Sequence, residues 1–176
     1  MSVTLSTIPQ EAAKLARRGF NSQFPVPVEA IIKRHKIKIE LASLPDDLSG
    51  MSFVKDGVAA IVVNLSHHIN RRRFTLAHEL GHHLLHASYL NDNVHVDRLV
   101  LNRDKMSATG EDQKERDANA FAAELLMPLA EIKKICHIDI NDDEIIAQYA
   151  KRFKVSASAL TYRIMNVSDT IIEKAM

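Results

Sequence analysis

The stretch Arg71 to His86 reads RRRFTLAHELGHHLLH and holds His78, Glu79 and His82 in the order H-E-x-x-H. Residues four apart lie about 40° apart around an α-helix, so both imidazoles leave one face and can reach a single Zn²⁺. Glu79 follows the first ligand directly, where its carboxylate can take a proton from a metal-activated water attacking a carbonyl carbon. Such a motif also arises by chance in unrelated helices. Here Phe74, Leu76, Ala77, Leu80, Gly81, Leu84 and Leu85 surround it, which predicts a buried helix. Buried polar rings need partners, and a metal supplies one to both at once.

Spacing sorts the zinc classes. A metzincin, H-E-x-x-H-x-x-G-x-x-H, requires Gly at 85 and His at 88, where the chain has Leu85 and Ser88. The inverted H-x-x-E-H order requires histidines where Leu76 and Leu80 stand. A two-histidine site remains, with its third ligand from another segment, most simply a glutamate on a later helix.

Working outward, 176 residues suit one domain, able to bury roughly 70% of the unfolded chain's surface. The formal net charge of +1 recruits neither nucleic acid nor anionic membrane. Cys136 is the only cysteine, which excludes an internal disulfide, suits a reducing cytosol, and reads as a small core residue. The N-terminal MSVTLSTIPQEAAK lacks a basic segment followed by an apolar one, so a cytoplasmic location is expected.

Before the motif, Pro9 to Arg18 reads as a helix ended by Gly19, and Val28 to His35 as a second. The period then changes: Ile37, Ile39 and Leu41 alternate with Lys38 and Glu40, a strand with one buried face. Gly50 to Lys55 and Val58 to Asn64 flank Asp56-Gly57, a strong hairpin signal. The second arm is apolar on both faces and should be interior; the first is mixed and reads as an edge. An exposed edge near the motif can bind an extended peptide through main-chain hydrogen bonds. Beyond His86, Val94, Val96, Leu99, Val100 and Leu101 suit a short strand or bend, and NRDKMSATGEDQK reads as a mobile surface loop. A helix should begin near Thr109 to Asp112 and run to Met127, stopped by Pro128.

RFTLAHELGHHLLH together with ERDANAFAAELLMP, Glu115 to Pro128, resembles the ImmA/IrrE family of metallo-endopeptidases. The resemblance runs from about residue 25 to 165. It implies one zinc ion and an α+β fold: a thermolysin-like, gluzincin-type helix pair packed on a small three-stranded sheet. The implied boundaries are a zincin-like metallopeptidase core over residues 1–136 and a helix-turn-helix-like helical subdomain over 137–176. It further implies hydrolysis of a peptide bond in a helix-turn-helix transcriptional repressor, relieving repression, in the setting of a mobile genetic element, prophage or stress-response locus. Within these residues we expect neither a fused DNA-binding module nor a large sensory domain, and no radiation-response role.

On a helical wheel Glu115 shares its face with Ala118, Asn119, Ala122 and Leu126, so its carboxylate leaves from an apolar, inward side and must be paired. Glu115 is therefore the candidate third ligand, beside His78 and His82, with Asn119 one turn on to hydrogen-bond a ligand. Glu124, about 180° away, is the rival, as is a site with no third protein ligand.

The segments Asp142 to Arg152 and Ser156 to Met165 read as two helices resembling a helix-turn-helix, which supports a rival reading: a DNA-binding regulator. Against it, residues 137–176 carry five Lys or Arg and six Asp or Glu, a balance of −1, with only Arg163 as a strong contact on the second helix. The alternative is that these helices pack on the core through Ile145, Ile146, Tyr149, Leu160 and Ile164. A third reading, a non-cleaving repressor-binding module, is opposed by the intact Glu79. His83 should be at the surface, opposite the metal face, and His86 should hydrogen-bond near the helix C-terminus. His67, His68 and His95 carry no signal of their own. An oxyanion-stabilising group is expected among Tyr89, His95, Tyr149 and Arg163.

Overall fold

A computed structural model of the chain describes residues 8–21, 23–98 and 110–175. The period change after His35 is where helix gives way to sheet. Helices α1 (Ile8–Ala16) and α2 (Val28–Arg34) come first, then strands β1 (Lys38–Ala42), β2 (Leu48–Lys55) and β3 (Val58–Asn64). The motif helix α3 (Ile69–Leu85) follows, then α4 (Ala87–Asp92), β4 (His95–Arg98), α5 (Gly110–Leu126) and α6 (Leu129–Ile132). Helices α7 (Asp143–Phe153) and α8 (Ala157–Ala175) complete the mixed α+β fold. The expected surface loop lies largely in residues 99–109, outside the described residues.

Among the described residues four strands pair in the order β1-β3-β2-β4, one more than the three expected. β1 runs parallel to β3, whereas β2 is antiparallel to both β3 and β4. The extra strand is four residues long, too short for alternation to declare it, and pairing with β2 is what organises it. That pairing also corrects the reading of β2 as an edge: β2 is interior, and among the described residues β1 and β4 are the edges. The turn between β2 and β3 is as the sequence indicated. Asp56 and Gly57 have φ of 51° and 74°, both positive as a two-residue type I′ turn requires. β3, the central apolar strand, buries Ala60, Ile61, Val62 and Val63.

Two glycines let the motif helix sit close to its neighbours. A Cβ on Gly50 would lie 2.6 Å from Thr75 Cγ2 and 2.8 Å from the Val62 carbonyl, so α3 can rest on β2 only if residue 50 has no side chain. A Cβ on Gly81 would lie 3.1 Å from the Phe121 ring and 3.2 Å from the Ala118 Cα, where α3 meets α5. Around these contacts Leu76, Leu80, Phe121, Leu125 and Leu126 are almost wholly buried. Each contributes about 1.5–3 kcal/mol by leaving water.

Helices α7 and α8 join the same core through Ile146, Ala150, Phe153, Leu160 and Ile164, with Tyr149 packed partly against it. Asp142 caps α7 by accepting from the backbone N–H groups of Glu144 and Ile145. The turn between α7 and α8 is tied to α3, since Asn70 Nδ2 donates to the Val155 carbonyl at 3.0 Å.

Candidate metal centre

The four-residue spacing on α3 brings the two imidazoles together, with Nε2 of His78 and Nε2 of His82 3.1 Å apart. Glu115, reaching over from α5, places Oε2 3.3 Å from His78 Nε2 and Oε1 3.3 Å from His82 Nε2. His95, on β4, brings Nε2 to 3.6 Å from Glu115 Oε1 and 3.8 Å from Glu79 Oε1. One ligand atom from each of His78, His82, His95 and Glu115 thus falls within 4.8 Å of all the others. Glu124, the rival, is elsewhere: it pairs with Arg163 and accepts from the Leu129 N–H.

These residues fit a zinc ion. Bonds of about 2.0–2.1 Å in a tetrahedron put neighbouring ligand atoms roughly 3.3–3.4 Å apart, close to the spacing of the two histidines and Glu115. Tautomer agrees with spacing. Asn119 Oδ1 accepts from His78 Nδ1 at 3.1 Å, which fixes the proton there and leaves the Nε2 lone pair facing the cluster. Two buried polar atoms without a hydrogen-bond partner also stand here, Glu79 Oε1 and His95 Nε2.

Glu79 is fully buried, and its Oε2 accepts from the hydroxyl of Ser52 on β2 at 2.5 Å. Burial raises its carboxyl to about 8, against the opposing pull of His78 and Ser52. Burial also pushes His95 down to about 3, helped by the charge of His82, so its ring is neutral. Burial opposes the charge on Glu115, yet the two histidines outweigh it and hold that carboxyl below the usual range. Although both rings touch Glu115, His78 is raised to about 9 and His82 is lowered. Burial lowers each, and the carboxylates beside His78 prevail there. Facing nitrogens 3.1 Å apart cannot both carry an added proton, so one shared proton belongs to the pair.

Of the four oxyanion candidates, only His95 joins the cluster. Tyr89 lies under Lys114, whose Nζ is 4.0 Å from the ring centroid; Tyr149 belongs to the core, and Arg163 also donates to the Met127 carbonyl. His83 is not at the surface: it is buried and donates through Nε2 to the Ala60 carbonyl of β3 at 3.3 Å. The face opposite the metal is covered by the sheet, which a helical wheel of α3 alone does not reveal. His86 is the C-cap of α3, its N–H bonded to the His82 carbonyl. Cys136 is half-exposed. Sequence reasoning missed Ser52, whose only signal is a small hydroxyl on the inward face of a strand beside the motif helix. A cleft of about 1090 Å³ opens from His78 and Glu115 along α3, past Phe74 and Arg71, to the α7–α8 turn.

The family model described as the IrrE N-terminal-like domain, a peptidase family, matches residues 32–165. No curated protein matches the chain. Among solved structures, a Mycobacterium tuberculosis transcriptional regulator is similar in fold, with a TM-score of 0.58 at 17% identity. That similarity covers 89% of this chain but only 46% of the regulator, so the chain spans about half its length. With the family match extending over most of the sequence and across both the motif helix and the helix bearing Glu115, the chain belongs to the ImmA/IrrE family of metallopeptidases.

Proposed function

We propose that the chain is a zinc-dependent endopeptidase in which His78, His82 and Glu115 hold the metal and Glu79 is the general base. The observation that carries this reading is the convergence of those three ligand atoms beside a buried glutamate. When bound, Zn²⁺ lowers the pKa of water toward 7 and polarises a carbonyl. Glu79 accepts the proton of the attacking water and delivers it to the departing amine. Ser52 keeps that carboxylate in one orientation. His95, neutral and beside both Glu79 and Glu115, donates its Nε2–H to the substrate oxygen as charge develops there. With His78, His82 and Glu115 as its protein ligands, a zinc ion would keep a fourth position for the reacting groups. Edge strand β4, next to this centre, can hold an extended peptide by main-chain pairing.

The substrate we propose is a helix-turn-helix repressor, whose cleavage relieves repression in the cytoplasm. The family resemblance motivates that identity, and the similar fold within a transcriptional regulator is compatible with it. Direct DNA binding by this chain is disfavoured, because the start of α8, where a recognition helix would read bases, lines the cleft at Ser156 and Ala157. Among the described residues no helix is long and apolar enough to cross a membrane. The test is to incubate the zinc-loaded protein with a helix-turn-helix repressor from the same genome. One defined cut, lost in Glu79→Gln, is expected; an intact repressor under both conditions would reject that substrate.

A further inference from the structure

The cleft of about 1090 Å³ exceeds the roughly 300–1,000 Å³ of a small-molecule pocket, so its size suits a peptide segment. Its two ends differ chemically. At one end stand His78, Glu115 and Asn119, whose charges and lone pairs are matched within the centre. At the other, Lys151 and Lys154 stand at the end of α7. Neither lysine has an ion-pair partner among the described residues. The lining's other acid besides Glu115 is Asp97, and it is already engaged: Ser49 hydrogen-bonds it, the Arg71 cation favours its charged form, and Arg71 Nη2 also donates to Ser49 at 3.0 Å. Phe74, Ala150 and Val155 form apolar wall between the ends.

Distance along α3 fixes the scale. The α7–α8 turn is anchored at Asn70, eight residues before His78, or about 12 Å at 1.5 Å per residue. An extended peptide covers that in roughly three to four residues. We propose that the far end of the cleft is a subsite for an acidic side chain of the bound peptide, three or four residues from the bond cut, with Lys151 and Lys154 as its charge partners. The subsite rests on the peptidase reading for its register, not for its charge preference. A nucleic-acid phosphate is the other anion to weigh. It is disfavoured because the lysines stand at the end of a cleft with apolar walls, not on an open basic face.

The test separates binding from cutting. Glu79→Gln protein saturated with Zn²⁺ is immobilised and equilibrated with a random decapeptide library, and the retained peptides are sequenced. Asp and Glu should be enriched about two- to fivefold, the range that exposed ion pairs support, and the enrichment should vanish in 1 M salt. Adding Lys151→Glu and Lys154→Glu, both at exposed positions, should abolish it. Retention without acidic enrichment, or the same acidic set on the charge-reversed protein, would overturn the subsite. So would displacement of the acidic peptides by a short DNA duplex. Wild-type protein is then offered the retained peptides: if none is cut, the peptidase reading fails while the charge preference stands on retention alone.

Discussion

Helices α3 and α5 and helices α7 and α8 share one hydrophobic core, yet what they bury differs. Helix α3 encloses Arg73, Thr75, His78, Glu79, His82 and His83, whereas the residues buried on α7 and, among the described side chains, on α8 are all apolar. Buried polar groups cost stability unless each is matched. Around α3 several are matched by neighbours: Arg73 donates to the Val26 carbonyl, His83 to Ala60, and Ser52 to Glu79. Glu79 Oε1 and His95 Nε2, both at the cluster, have no hydrogen-bond partner, as the proposed metal and substrate site would require. The contrast teaches where chemistry is: not in the helix pair that resembles a DNA reader, but where burial has been spent on charge.

The largest expected effect lies in the first region. Glu79→Gln should keep its metal and lower kcat about 10²–10⁴-fold, the usual worth of general-base assistance. Steady-state cleavage by the zinc-loaded variant measures this, and undiminished turnover would remove Glu79 from the mechanism. In the second region the expected loss is of stability alone. Leu160→Ala, at a fully buried position, should cost about 2–5 kcal/mol in urea unfolding and leave zinc stoichiometry unchanged. A parallel loss of zinc would show that the two regions are not separable in this way.

A smaller effect tests how the centre is supported from the sheet. Ser52→Ala removes a hydrogen bond to a carboxylate and should lower kcat roughly tenfold, with KM little changed. Donation from Ser52 favours the charged form of Glu79, so its loss raises that carboxyl. Because the base must be deprotonated to act, the acid limb of the activity profile should move to higher pH. A lowered rate with an unmoved limb would reduce Ser52 to a packing role.

How much of this was legible beforehand follows the range of the interactions. The motif helix, the Asp56-Gly57 turn and the inward face of α5 are local patterns, and all three appear in the structure. Glu115 and Asn119 could be singled out because a helical wheel relates them to apolar neighbours a turn away. Pairings distant in sequence were not legible. The parallel pairing of β1 with β3, the fourth strand and the burial of His83 against Ala60 each depend on which strand lies beside which. Ser52 and His95 reach the centre only through that sheet, one from β2 and one from β4.

The central claim is that Glu115, not Glu124, completes a zinc site with His78 and His82. Its most direct test is zinc content per chain after dialysis against a mild chelator, measured for wild type, Glu115→Ala and Glu124→Ala. The account predicts one zinc per chain in wild type and in Glu124→Ala, and a sharp loss in Glu115→Ala. Equal zinc in wild type and Glu115→Ala would contradict it.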